Sequence, residues 1–233
     1  MKPNMRARVA AEFLGTAFLL AAVVGSGIMG ERLAGGNVAI ALLANTLATG
    51  AILVVLILAF EGVSGAHFNP AVMLSMALEK QMGWREVPPY LMAQLTGAFA
   101  GVAAAHMMFG LPVFFASTHA RSGPTQLWSE FVATFGLLII IRACVRFRPA
   151  MVSFAVGGYI TTAYWFTAST SFANPAVTFA RAASNTFAGI RPVDAPGFIC
   201  AELLGALAAT MLFRWLIVLA EHPTEKSQID ERI

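Results

Sequence analysis

The chain is 233 residues long, 58% hydrophobic and only 12% charged, with a formal net charge of +3. Soluble domains carry roughly 45–50% apolar and about 25% charged residues, so this composition excludes a water-filled surround for a core of this size and points to lipid as the solvent. The small positive excess forms no long basic run, which excludes a nucleic-acid face.

A helix that crosses the roughly 30 Å hydrocarbon layer needs about 20 mostly apolar residues. The first such segment is 9–29. Lys2, Arg6 and Arg8 stand ahead of it, as they would in a signal peptide, but the run is longer than a usual signal core. No small-residue cleavage site precedes a soluble domain, so it reads as a retained span. The second span is 38–60. A short apolar run, about 69–79, then follows the tetrapeptide Asn-Pro-Ala-Val. Spans at 87–109, 127–146 and 150–168 come next. A second Asn-Pro-Ala-Val heads another short run, about 174–184, before the last span at 197–219. Eleven helical residues reach roughly 16 Å, half a bilayer, so the two short runs placed end to end make one crossing. After about Glu221 the chain is polar. Cys144 and Cys200 lie inside predicted spans and fit no metal spacing, so they read as packing residues and no metal or cofactor is expected.

Basic residues set the orientation. With the N-terminus inside, the inner ends carry Lys2, Arg6, Arg8, Lys80, Arg85, Arg142, Arg146, Arg148, Arg214, Lys226 and Arg232, against Arg32, Arg121, Arg181 and Arg191 outside. This favours both termini in the cytoplasm and a multi-pass protein of the cell (inner or plasma) membrane.

The chain also repeats itself. "AEFLGTAFLL" at 11–20 resembles "SEFVATFGLL" at 129–138, matching Glu12 to Glu130. "AQLTGA" at 93–98 resembles "AELLGA" at 201–206, matching Gln94 to Glu202. The halves, about 9–110 and 127–219, each hold three spans and one half-span. Three is odd, so the second half enters the membrane inverted, and equivalent segments meet near the midplane.

The triplets have a physical reading. Asn caps a helix N-terminus through its side-chain oxygen, Pro suits the first helical position, and Ala permits close approach. Asn69-Pro70-Ala71 and Asn174-Pro175-Ala176 are thus expected to start two half-helices that meet cap to cap, with the Asn amide groups free to donate to whatever lies between them. Extended backbone at membrane depth is tolerated only where it is buried or lines a water-filled cavity. The carbonyls of Gly65, Ala66 and His67 and of Thr170, Ser171 and Phe172 are expected to line a pore. Gly15, Gly97, Gly101 and Gly205 are expected to allow close helix approach.

The doubled triplet, the upstream "SGAH" and the Glu in spans one and four together resemble the aquaporin, or major intrinsic protein, family over nearly the whole chain. The resemblance implies an all-α membrane protein of six transmembrane helices and two re-entrant half-helices. It implies one channel domain over 1–219 with a polar cytoplasmic tail at 220–233, and a homotetramer in the lipid bilayer with a pore in each subunit. It assigns Glu12 and Glu130 to holding loop backbone. Each half-helix N-terminus carries roughly half a positive charge, so the facing tips repel cations, hydronium included. Small uncharged solutes and water remain as the permeating partners.

One departure is informative. Most family members place Arg directly after the second triplet; here that residue is Val177. Family spacing carries the other filter positions to Thr49, Thr162 and Ser171, where water-selective members place an aromatic and a His. A wide, uncharged filter follows, suited to glycerol-like polyols, urea and neutral metalloid hydroxides such as arsenous acid. A rival has Arg181, four residues on, reach the pore and restore a charge for a water-selective channel; otherwise Arg181 bonds local loop carbonyls. His67 either tunes the inner vestibule with pH or fixes the loop by a hydrogen bond. Two other function classes account for less of the chain. "GVSG" at 62–65 matches a serine-protease pattern, with His67 or His106 as base, but leaves the doubled triplet unexplained. A coupled transporter needs ionisable groups at the midplane beyond Glu12 and Glu130, and none is evident.

Overall fold

The structure, a computed structural model, describes residues 3–221. Every regular element among them is helical: α1 (Met5–Leu33), α2 (Val38–Ser64), α3 (Pro70–Leu78), α4 (Val87–Met108), α5 (Pro124–Phe147), α6 (Val152–Phe166), α7 (Pro175–Arg181) and α8 (Ala195–Glu221). The start signals are written in the sequence. Asn4 and Asn37 accept from the amides of the first turns of α1 and α2, and Pro124 opens α5 at a position where no amide donor is needed. Helix α2 ends where Gly65 takes a left-handed conformation, φ 89°.

Among the described residues five helices are long and apolar enough to cross a membrane: α1, α2, α4 with the turn before it, α5 and α8. The sixth expected span, 150–168, is shorter than predicted. It consists of a 3-10 turn, Pro149–Met151, followed by the 15 residues of α6. The tighter turn rises more per residue, so the pair still reaches roughly 28 Å. The half-helices are also shorter than their apolar runs, nine and seven residues rather than eleven. Helix α3 stops at Glu79, with Lys80 beyond it at φ 61°, and α7 stops at Ala182. Helix α8 continues to Glu221, past the tail boundary expected at 219; residues 222–233 of that tail lie outside the described residues.

The two halves are built alike. Helix α1 packs on α2 and α4, as α5 packs on α6 and α8, and α2 crosses α6 between them. Gly97 of α4 and Gly205 of α8, matched by the internal repeat, do the same work. A Cβ at Gly97 would collide with the Phe13 carbonyl of α1, and one at Gly205 with the Phe131 carbonyl of α5. Only glycine lets these backbones approach so closely. Half-helices α3 and α7 touch each other, with α3 seated on α4, α5 and α8 and α7 on α4 and α8.

Candidate functional site

Two chain segments, 65–69 and 167–174, carry the extended backbone that leads into the half-helices. Left-handed non-glycine residues punctuate both: Ala66 and Phe68 in the first, Thr170, Ser171 and Ala173 in the second. Each costs about 1–3 kcal/mol and persists only where its surroundings over-determine it. The surroundings here are buried carboxylates. Glu12 accepts from the backbone amides of His67 and Phe68, at 2.9 and 2.8 Å, and from Ser64 Oγ and Gln94 Nε2, at 2.7 and 2.8 Å. Glu130 accepts from the amides of Phe172 and Ala173, at 2.9 and 2.8 Å. Both carboxylates are fully buried.

The segments meet at their Asn residues. Asn69 Oδ1 accepts from Ala71 N, and Asn174 Oδ1 from Ala176 N and Val177 N, so both cap their half-helices. The amide groups are not left free, as the sequence suggested. Asn69 Nδ2 donates to the Ala173 carbonyl at 2.7 Å, and Asn174 Nδ2 donates to the Phe68 carbonyl at 2.8 Å. One hydrogen of each amide thus ties one half to the other in a reciprocal clasp. Each NH2 has a second hydrogen, and both Asn residues line a cavity of about 130 Å³.

That cavity runs from Glu61, near the end of α2, past the clasp to Arg181, at the end of α7. Its wall is largely aliphatic, with Leu19, Leu53, Leu137, Val156 and Ile160 among its residues. Its polar side chains are few: Glu61, His67, the two Asn residues, Thr49, Tyr164, Ser171 and Arg181. Gly65, Ala66, His67, Ser171 and Phe172 of the re-entrant segments line it, and so do Thr49 and Val177; Thr170 does not. Pro70, Ala71, Pro175 and Ala176 are buried behind the Asn residues rather than on the wall. His67 Nδ1 lies 3.6 Å from Glu12 Oε1, and the ring meets Tyr90 edge-on with centroids 5.7 Å apart.

One expected filter residue is elsewhere. Thr162 is exposed on the outer side of α6, where its hydroxyl donates to the Tyr159 carbonyl. Ile160 and Tyr164 line the cavity instead. Helical geometry makes this unavoidable: residues four apart share a face, and the residue midway between them points away. Tyr164 Oη sits 3.2 Å from Thr49 Oγ1, so a hydroxyl pair stands on the wall where Thr162 was expected. The i, i+4 pairing of Ile160 with Tyr164 was available in the sequence and would have found this.

Arg181 bonds a local loop carbonyl and also stands on the cavity wall. Its Nε donates to the Ala188 carbonyl, and its side chain lines the cavity although it is 2% exposed. The guanidinium carbon lies 3.4 Å from the Phe172 ring centroid. A second cation, Arg121 from the α4–α5 connection, stands 5.0 Å from the same centroid. It donates from Nε to the Gly189 carbonyl and from Nη1 to the Ser169 carbonyl. Nothing near Arg121 in the sequence signals this role; the connection is brought there by backbone bonds from Phe115 to Ala183, from Ser117 to Ala182 and from Arg191 to His119. Partial desolvation pushes His119 below its ordinary value, and the charges of Arg121 and Arg181 push it the same way. The hydrogen bond from Arg191 holds Asp194 below the usual carboxylate range.

A family model described as Major intrinsic protein matches residues 1–148. The aquaglyceroporin AqpS of Rhizobium meliloti (strain 1021) is 56% identical over 214 residues, 92% of this chain and 91% of that one. The chain belongs to the major intrinsic protein family. The plant aquaporin NIP2-3 of Zea mays is 34% identical over 197 residues, 81% of this chain and 64% of its own length. The X-ray structure of the aquaglyceroporin from Plasmodium falciparum superposes with a TM-score of 0.71 at 20% identity, covering 90% of this chain and 96% of that one. The aquaporin-like fold, two half-helices among membrane-crossing helices, is therefore shared. Family members are channels rather than enzymes, and "GVSG" has a structural role here: Ser64 Oγ donates to Glu12 and accepts from the Ala66 amide.

Proposed function

We propose that this chain is a passive channel for water and small uncharged solutes: glycerol-like polyols, urea and neutral metalloid hydroxides such as arsenous acid. The observation that carries the reading is Val177 on the cavity wall beside Thr49, Ser171 and Tyr164. An aliphatic residue where the family places Arg leaves an opening bounded by hydroxyls and methyls, with no bulky side chain at position 177. Similarity to a relative named an aquaglyceroporin supports the same solute class. The half-helix N-termini aim their positive dipole ends at the Asn clasp and repel cations there.

In this reading the two halves form one channel domain in the cell membrane, with both termini cytoplasmic, and four copies assemble. The basic-residue asymmetry supports the orientation. Large apolar side chains exposed along the helices, such as Leu47, Leu58, Trp128 and Phe154, support a surround of lipid and neighbouring subunits.

The test is Val177→Arg in reconstituted vesicles, read by light-scattering swelling. Glycerol flux is expected to fall by about tenfold or more, the equivalent of roughly 1.4 kcal/mol in the barrier, while water flux persists. Unchanged glycerol flux would remove the wide-filter reading. A second reading, a water-selective channel closed by Arg181, is favoured by that side chain's place on the wall. It requires that the unaltered protein swell in water gradients and exclude glycerol.

A further inference from the structure

Arg181 presents an electrostatic anomaly. It is 2% exposed, and its one hydrogen bond among the described residues runs from Nε to the Ala188 carbonyl. No carboxylate among the described residues pairs with it. The nearby acids bond other groups, Glu130 the amides of Phe172 and Ala173 and Glu202 the Thr178 hydroxyl, and neither forms an ion pair with Arg181. A buried cation without a counter-ion is costly and is rarely retained without a use. Its remaining N–H donors belong to a side chain on the cavity wall, and the Ser171 hydroxyl on the same wall also lacks a partner.

Arg121 enlarges this field. Carbonyls satisfy its donors but do not cancel its charge, and it shares the Phe172 ring with Arg181. Phe172 is in turn fixed by Glu130, so the ring and both guanidinia are anchored to the same carboxylate that shapes the re-entrant segment. Asp194 accepts from the Arg121 backbone amide, but its side-chain charge is engaged by Arg191.

We propose that Arg181, one helical turn beyond Val177 and reinforced by Arg121, is the residue that excludes cations at this mouth of the pore. The charge and the constriction, which a single Arg at position 177 would combine, are here separated. Val177 sets the width, and Arg181 sets the sign of charge that passes. This inference rests on the wide-filter reading and adds a separate determinant to it. A monovalent cation entering a low-dielectric passage must approach a fixed positive charge that is in no ion pair, whereas a neutral hydroxylated solute meets unpaired donors.

The experiment measures two fluxes through the full chain in vesicles: proton leak, with a trapped pH-sensitive dye under a fixed gradient, and glycerol entry by swelling. The quantity read is the leak divided by the glycerol flux, so that only folded pores count. Arg181→Gln is expected to raise this ratio about tenfold or more. Adding Val177→Arg to Arg181→Gln is expected to bring the leak back down when it is divided by water flux, which Val177→Arg spares, because a guanidinium is restored one turn away. An unchanged ratio in Arg181→Gln overturns the proposal, as does a leak that the added Arg fails to reduce. Where Arg181→Gln yields no glycerol flux, Arg121→Gln is read instead. Its ratio is expected to rise by about threefold, and no rise there also overturns the proposal. Failure of the wide-filter reading has a different signature, an unaltered glycerol flux in Val177→Arg alone.

Discussion

The two halves of this channel share a backbone plan and differ in how their buried acids are satisfied. In the first, Glu12 gathers donors from His67 N, Phe68 N, Ser64 Oγ and Gln94 Nε2. In the second, Glu130 takes the matching backbone amides, Phe172 N and Ala173 N, but the partner at the Gln94 position is Glu202. Glu202 accepts from Thr178 Oγ1 at 2.6 Å and is itself fully buried. Symmetry of the repeat therefore dictates where the acids stand, while side-chain chemistry decides whether each has a donor or another acid beside it. The half with the surplus of donors leads to the His67 end of the cavity, and the half with paired acids leads to the arginine-lined end.

Several substitutions would break or sharpen this comparison. The largest effect is expected from Glu12→Ala, which strands two buried amides, a hydroxyl and a carboxamide. A loss of about 3–5 kcal/mol is expected, enough to abolish the folded fraction in detergent thermal melts. Glu130→Ala removes fewer bonds and is expected to cost about 2–3 kcal/mol; an equal loss in both would erase the distinction between the halves. The next pair exchanges the differing partners. Gln94→Glu sets a second carboxylate against Glu12 and is expected to cost about 2 kcal/mol, whereas Glu202→Gln replaces an acid by a donor and is expected to change stability by less than about 0.5 kcal/mol. Equal damage from both would show that the acid pair is as well accommodated as the acid–amide pair.

The helix crossings test the symmetry itself. Gly97→Ala and Gly205→Ala each press a methyl against a facing carbonyl, so each is expected to cost about 1–3 kcal/mol. A clear inequality between them would mark one half as the softer. The smallest effect concerns His119, which has cationic neighbours in Arg121 and Arg181. Its folded value lies below the ordinary one, so the unfolded chain binds the extra proton. Stability is therefore intact above the unfolded value near 6.5 and declines as the pH falls through it toward the folded value. The side chain is exposed, so screening keeps the effect small. His119→Gln is expected to flatten the melting temperature between about pH 7 and pH 5 by no more than about 2 °C.

The sequence alone was enough for the spans, the inverted halves, the capping Asn residues and the departure at Val177. Each is a local or periodic signal: apolar length, internal similarity, a cap followed by Pro, a residue beside a motif. What lay beyond it depended on contacts between distant segments. Counting back from Asn174 reached Thr162, but helical phase puts Tyr164 on the cavity, opposite Thr49. The Asn amides read as free donors until the other half supplied the Ala173 and Phe68 carbonyls. Arg121 carries no motif at all and reaches Phe172 only because its connection is laced to the segment after α7. A sequence records which groups can cap, span or repel. Which of them share a wall is fixed only when the chain closes on itself, because burial forces each polar group to find a partner among neighbours far away in the sequence.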